Sequence, residues 1–147
     1  MPTVETAAPN RRNTVNIEPR TPTVENPPEQ FAGHVWLDPI VAPHDADQRT
    51  VVGRVRFAPG ARTAWHSHAR GQYLHVTAGI GRFGTRDGSI VEVHAGQTLY
   101  TPPREEHWHA SAPGVFMEHL AILENADDPA TTTTWAEHIT DDEYEGR

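Results

Sequence analysis

From Phe31 onward, apolar and polar residues alternate in short runs broken by Gly, Pro and Asp, the period-two pattern of half-buried β-strands. The run Thr50–Phe57 places Val51, Gly53, Val55 and Phe57 on one face and Val52, Arg54 and Arg56 on the other. Gln72–Ala78 likewise gathers Gln72, Leu74 and Val76 opposite Tyr73, His75 and Thr77. Gly81–Thr85 and Ser89–Val93 flank Arg86-Asp87-Gly88, whose Asp-Gly pair marks a hairpin. Thr98–Thr101, His107–Ala110 and Val115–Leu123 continue the series. Many short strands at this spacing predict an all-β barrel or sandwich. Only Thr140–Tyr144 reads as helix, with Thr140 as N-cap before three acidic residues.

The first thirty residues break the pattern. They are rich in Pro, Thr, Asn and Glu and nearly free of large apolar side chains, so they bury too little surface to offset the entropy of ordering. Residues 1–30 are therefore read as an extended or disordered arm, and 31–147 as a single domain. Within the arm, Thr14–Glu18 and Thr23–Glu25 alternate well enough to act as edge strands. The sequence leaves a free arm and one docked on its own barrel or a neighbour's equally open.

Composition narrows the chemistry. The formal charge is −8 and no basic cluster interrupts it, which excludes the positive stripe that nucleic acid or an anionic membrane needs. No stretch is apolar for long enough to span a bilayer, no signal-peptide core opens the chain, and the expectation is a cytoplasmic protein. Cysteine is absent, which excludes disulfides, thiolate metal sites and thiol nucleophiles. All 12 basic residues are Arg, so Schiff-base chemistry and a phosphate-binding Lys are excluded too. What stands out is histidine: seven of the ten lie between His66 and His119.

His66 and His68 are two apart in an extended segment, so both imidazoles leave the same face. Gln72 follows across Ala69-Arg70-Gly71, a short turn that brings its side-chain oxygen back beside them. A third imidazole must come from elsewhere, and His107-Trp108-His109 offers two on one face. Three imidazoles and a carbonyl oxygen suit Mn, Fe, Co, Ni or Zn, with one or two positions left for water or substrate. His109 and His119 point inward by parity. His75 and His94 have the wrong face or a loop position and read as structural, while His34, His44 and His138 carry no signal. Trp65 and Trp108 alternate with these histidines. They are expected outside the barrel with Tyr73 and Val52, covered by a partner subunit or by the arm.

Gly60-x5-His66-x-His68-x3-Gln72-x6-Gly79 resembles the first cupin motif, with Gln72 in place of the usual Glu. Gly96-x5-Pro102-x-Arg104-x2-His107-x3-Ser111 resembles the second, with Arg104 where Gly is usual and Ser111 where Asn is usual. Phe31-Ala-Gly-His-Val-Trp-Leu-Asp-Pro, Pro59-Gly-Ala-Arg-Thr-Ala-Trp-His-Ser-His and His119-Leu-Ala-Ile look closer still to small bacterial monocupins that include manganese-dependent hydroxynitrile lyases. The resemblance implies a double-stranded β-helix (jelly-roll) barrel with an extended N-terminal arm and a short C-terminal helix. It also implies one divalent metal ion per chain on His66, His68, Gln72 and His107, most naturally Mn2+, with Fe2+, Zn2+ or Ni2+ as alternatives. His109 and His119 then lie beside the metal as the catalytic pair.

A substrate pocket walled by Gly53, Val51, Val55, Leu74, Val76, Met117 and Leu123 favours a small aromatic or aliphatic molecule. In the hydroxynitrile lyases of this group a Gln stands at the position of Leu123. A neutral Gln ligand leaves the metal charge uncompensated and tilts the site toward Lewis-acid work. The leading expectation is a lyase or isomerase acting on a small hydroxy- or carbonyl-bearing substrate, as a homodimer or homotetramer. An Fe(II) dioxygenase, a polyketide cyclase-like cupin and a non-enzymatic ligand-binding cupin are the competing readings.

Overall fold

The computed structural model describes residues 14–147, and the first part of the arm lies outside them. Twelve strands form a curled sheet. Val24–Glu25 (β1), Phe31–Ala32 (β2), Val35–Val41 (β3) and Thr50–Phe57 (β4) come first. Arg62–Thr63 (β5), His66–His68 (β6) and the long Gln72–Thr85 (β7) lead into Ile90–His94 (β8) and Thr98–Thr101 (β9). His107–Ser111 (β10), Met117–Glu124 (β11) and Thr133–Trp135 (β12) complete the set before the helix Asp141–Glu145 (α1). The path runs β1-β3-β4-β11-β7-β10-β5-β2, with β8 and β9 on β7 and β6 bridging β10 to β12.

Strand β7 joins the two halves of the barrel. Residues Gln72 to Ala78 pair with β11 and β9, whereas Gly81 to Gly84 pair with β10 and β8. The two runs predicted separately are thus one strand, bent at Gly79. Its φ is +76°, and a Cβ there would stand 1.9 Å from Phe116 O. Glycine alone lets the strand turn this corner. The core lies inside the bend, with Val35, Phe57, Leu74, Val76, Phe83 and Met117 among its buried residues.

Outside the barrel, Trp65 and Trp108 form a second cluster with Ala110, Ile139 and Tyr144. This corrects the expected cover. Among the described residues the arm does not join their cluster, and no partner is needed, since the tryptophans are only 2% and 1% exposed within the single chain. The C-terminal segment covers them instead. Thr140 and Glu143 close a reciprocal capping box that starts α1, and Tyr144 on that helix donates to Ser111 O at 2.7 Å. Trp65 Nε1 donates to Glu143 Oε2 at 3.2 Å, and the Arg86 guanidinium lies 4.0 Å over the Trp65 ring. Trp108 also needs the missing side chain of its cross-strand partner Gly84, where a Cβ would meet the indole at 2.2 Å.

From Glu18 on, the arm docks on its own barrel. Val24 pairs with Leu37 on β3, whereas Thr14–Glu18 forms no strand. The histidines that carried no metal signal fasten it. His34 Nδ1 meets Glu25 at 2.7 Å, His44 Nε2 meets Glu18 at 2.5 Å, and His138 Nε2 donates to Pro28 O at 2.9 Å. His75 and His94 bond Thr98 and Glu92 at the surface, as their structural reading requires.

Arg104, which replaces the usual Gly of the second motif, has φ +65°, the only positive φ outside glycine among the described residues. The loop needs this conformation because it presents Arg104 N–H to His68 O at 2.8 Å. A left-handed backbone costs a residue with a Cβ on the order of 1 kcal/mol. Arg104→Gly is expected to raise unfolding free energy by about 1 kcal/mol, less the entropy glycine adds to the unfolded chain. Urea denaturation reads this, and a lower midpoint in the variant would refute it.

Candidate metal centre

Parity along two adjacent strands builds the site. His66 and His68 occupy alternate positions of β6, and His107 and His109 alternate positions of β10, so all four rings turn to the barrel interior. Register then closes them together, since His107 lies directly across from His66. Ring centroids are 4.4 Å apart for His66 and His107, 5.1 Å for His66 and His68, and 4.8 Å for His66 and His109. His119 arrives from β11, 5.3 Å from His109. Gln72 opens β7 and is buried beside them, after a turn in which Gly71 N–H donates to His68 O.

Hydrogen bonds decide which ring nitrogen faces inward. His66 Nδ1 donates to Ala64 O and His107 Nδ1 to Glu105 O, both at 2.9 Å. A carbonyl can only accept, so each ring is protonated on Nδ1 and keeps an unprotonated Nε2. His68 Nδ1 lies 3.0 Å from Thr133 Oγ1. On the inner side His68 Nε2, His107 Nε2, His109 Nε2, Gln72 Oε1 and both His119 nitrogens are buried without a hydrogen-bond partner. Arg56 Nε is the sole other such atom among the described residues. Each unmade bond costs about 1–3 kcal/mol, so folded proteins keep few and rarely cluster them. This concentration marks a place built for a ligand. His66, His107 and His109 also bring ring nitrogens within 4.8 Å of one another, so three buried imidazoles can hold a metal ion. His109 thus stands nearer the expected ligands than its sequence position implied, stacked on His107 with rings 13° from parallel.

The histidines open into a cavity of about 480 Å³. Val51, Gly53, Val55 and Leu123 line it as expected. Leu74, Val76 and Met117 do not, because they are fully buried in the core behind it; this corrects part of the predicted wall. Inward parity put them on the right side of the sheet, but the rings of Phe57, His109 and His119 fill the space in front. Sequence reasoning missed Phe31 and Trp135, which pack on each other at 5.5 Å, and the amides of Asn26, Gln30 and Asn125. Two of these residues, Asn26 and Gln30, come from the arm. Trp135 ends β12, which opens on the last two of four consecutive threonines and so lacks alternation; β-propensity was the one signal that could have found it. No lining residue is acidic or an arginine.

Burial governs the protonation of these rings. It drives His66 and His109 well below the ordinary 6.5, with repulsion from neighbouring imidazoles adding to the effect. Burial likewise lowers His107, takes His68 to about 4 and takes His119 to about 3. All five rings are neutral at pH 7. Their folded pKa values lie below the unfolded one, so the neutral fold has its full stability above pH 6.5. It loses stability as pH falls toward 4 for His68 and toward 3 for His119, because the unfolded chain binds protons the fold refuses. The metal-free protein is therefore expected to show a urea midpoint that falls between pH 6.5 and 4. His119→Leu should flatten that fall, and an unchanged slope would contradict the assignment.

Residues 53–117 match the family described as the Cupin domain. Over 122 residues the chain is 45% identical to the (R)-mandelonitrile lyase of Granulicella tundricola, covering 82% of this chain and 89% of that protein. A cupin-like protein from Thermotoga maritima has a TM-score of 0.77 at 32% identity, covering 89% of this chain and 96% of its own. A polyketide cyclase from Streptomyces resistomycificus, at 20% identity and a TM-score of 0.58 over 76% of each chain, shares the fold alone. With its bent β7, its inward rows of imidazoles and a 45% identical relative over most of its length, this chain belongs to the cupin family.

Proposed function

We propose that the chain holds one divalent metal ion, Mn2+ in the first instance, on His66, His68, Gln72 and His107, and cleaves a small cyanohydrin-like substrate as a lyase. The observation that carries this reading is the convergence of unpartnered imidazole and amide donors on a cavity without charged side chains. The 45% identical (R)-mandelonitrile lyase supports the reaction class.

The donors fit a first-row divalent ion, being neutral imidazoles with an amide oxygen. The choice of Gln72 over His109 as the remaining ligand rests on the spacing of the first motif, since the His109 ring nitrogen also lies within 4.8 Å of those of His66 and His107. His66 and His107 have Nδ1 committed to a backbone carbonyl and His68 has it against a hydroxyl, the outer bonds that metal-binding imidazoles make. The His109 ring is instead stacked on His107, where it borders the cavity. When bound, such an ion supplies a Lewis acid that favours the deprotonated form of a substrate hydroxyl.

The chain's own groups do the rest. His109 is neutral and unpartnered at Nε2, so it accepts the hydroxyl proton as the bond from carbon to cyanide breaks and the carbonyl forms. The electron pair leaves with cyanide, which takes up a proton to depart as hydrogen cyanide. His119, with both nitrogens free of partners, relays that proton from His109 to the cyanide. Phe31, Trp135 and Val55 hold an aryl or alkyl group, and the uncharged wall selects against ionic substrates.

A second copy is proposed to dock on the outer sheet face. Register aligns Val41, Val52, Ile122, Tyr73 and Tyr100 in one row across five strands, and both tyrosines are more than half exposed. Such an apolar row reads as a contact surface. Light scattering is expected to give at least twice 16.3 kDa, reduced in a Tyr73→Glu, Tyr100→Glu variant; a wild-type monomer rules the dimer out.

Metal content and turnover separate the roles. His66→Ala, His68→Ala should abolish binding of one ion per chain and with it mandelonitrile cleavage. His109→Ala and His119→Ala should keep the ion, while at least one loses about two orders of magnitude in turnover. Loss of metal in His109→Ala would transfer the ligand role to it from Gln72. Oxygen uptake coupled to turnover would replace the lyase reading altogether.

A further inference from the structure

Strand β12 lies beyond the residues that match the family, yet it backs both histidines of His66-Ser67-His68. Register pairs Thr133 with His68 and Trp135 with His66. Thr133 Oγ1 is 3.0 Å from His68 Nδ1. Trp135 lies against the His66 ring, with centroids 4.5 Å apart and planes at 33°. The strand is held at both ends: Ala69 N–H donates to Thr132 O at 2.9 Å, and Ala136 N–H to Trp65 O at 2.8 Å. Beyond it, Arg86 grips both carboxylate oxygens of Glu137, at 3.0 and 2.9 Å, and also bonds Glu106, the neighbour of His107.

The three expected ligand histidines differ in one respect. His66 and His107 give their Nδ1 protons to carbonyl oxygens, which cannot donate, so their tautomers are fixed by the backbone. His68 faces a hydroxyl, which can do either. As an acceptor, Thr133 Oγ1 leaves Nε2 of His68 with a free lone pair pointing inward. As a donor to Nδ1, it would shift the ring proton to Nε2 and remove the lone pair an ion needs. His68 Nε2 is buried without a hydrogen-bond partner, and Gln72, whose side chain interacts with the ring, is assigned to the ion in the proposed ligand set, which leaves Thr133 to choose between the two states.

We infer that Thr133 is a positioning residue for the metal centre: its hydroxyl accepts from His68 Nδ1 and so commits Nε2 to the ion, while Trp135 on the same strand braces the His66 ring. The inference rests on the proposed His66, His68, Gln72 and His107 ligand set. Outer hydrogen bonds of this kind typically contribute 10- to 100-fold in metal affinity. Valine matches threonine in shape but cannot accept, whereas serine keeps the oxygen.

The test is Zn2+ affinity, measured by competition with a chromogenic chelator on the purified metal-free chain. Zn2+ serves as the probe because imidazole sites bind it more tightly than Mn2+. Thr133→Val should weaken Zn2+ binding about 10- to 100-fold in a chain that circular dichroism shows still folded without metal, Thr133→Ser should restore it, and His68→Ala should lose it. Wild-type affinity in Thr133→Val, or equal weakening in Thr133→Ser, overturns the role of Thr133 and leaves the ligand set standing. Wild-type affinity in His68→Ala overturns the ligand set itself.

Discussion

The structure turns on a desolvated cluster of five neutral imidazoles, with rings 4.4 to 5.3 Å apart between the nearest neighbours. Water would satisfy these nitrogens outside the barrel. Inside, burial removes it and penalises the protonated form, so the rings persist as neutral donors of lone pairs. Unpaired polar groups at such density destabilise a fold on their own account, and the rest of the barrel is organised to hold them. Backbone carbonyls at Ala64 and Glu105 take the outward N–H groups, and the register of β6 on β10 sets the spacing of the inward ones.

Two peripheral segments finish what the central strands begin. The C-terminal segment lays β12 against β6 and folds α1 over Trp65 and Trp108. The Arg86 bonds to Glu106 and Glu137 then tie the loop before His107 to the chain that supports His66 and His68. These ion pairs are exposed, so each contributes little alone. Their effect is to keep a strand in register behind the site. The arm adds Asn26 and Gln30 to the cavity wall, next to Phe31, which packs on Trp135.

The neutrality of the site sets what chemistry it suits. Neither the expected ligands nor the cavity wall carries formal charge, so a divalent ion there would keep its full charge against an apolar surround. That environment favours developing negative charge on a substrate oxygen and disfavours a protonated imidazole. The same desolvation therefore shapes both halves of the proposed reaction.

Local pattern was enough to read the strands, the hairpin at Asp87-Gly88, the capped terminal helix and the inward face of His66, His68, His107, His109 and His119. Each depends on alternation or on side chains a few residues apart, which the order of residues encodes directly. Sequence did not reveal that β7 is one bent strand, because Gly79 reads equally as a break and as a corner. Nor did it show that Leu74 and Met117 sit behind the cavity wall, or that the chain's own C-terminus buries Trp65 and Trp108. Parity assigns a side chain to a face, but depth within the barrel depends on which distant segments pack in front. Thr133 and Trp135 stand 65 and 69 residues after the histidines they support, and only the closure of β12 on β6 brings them there.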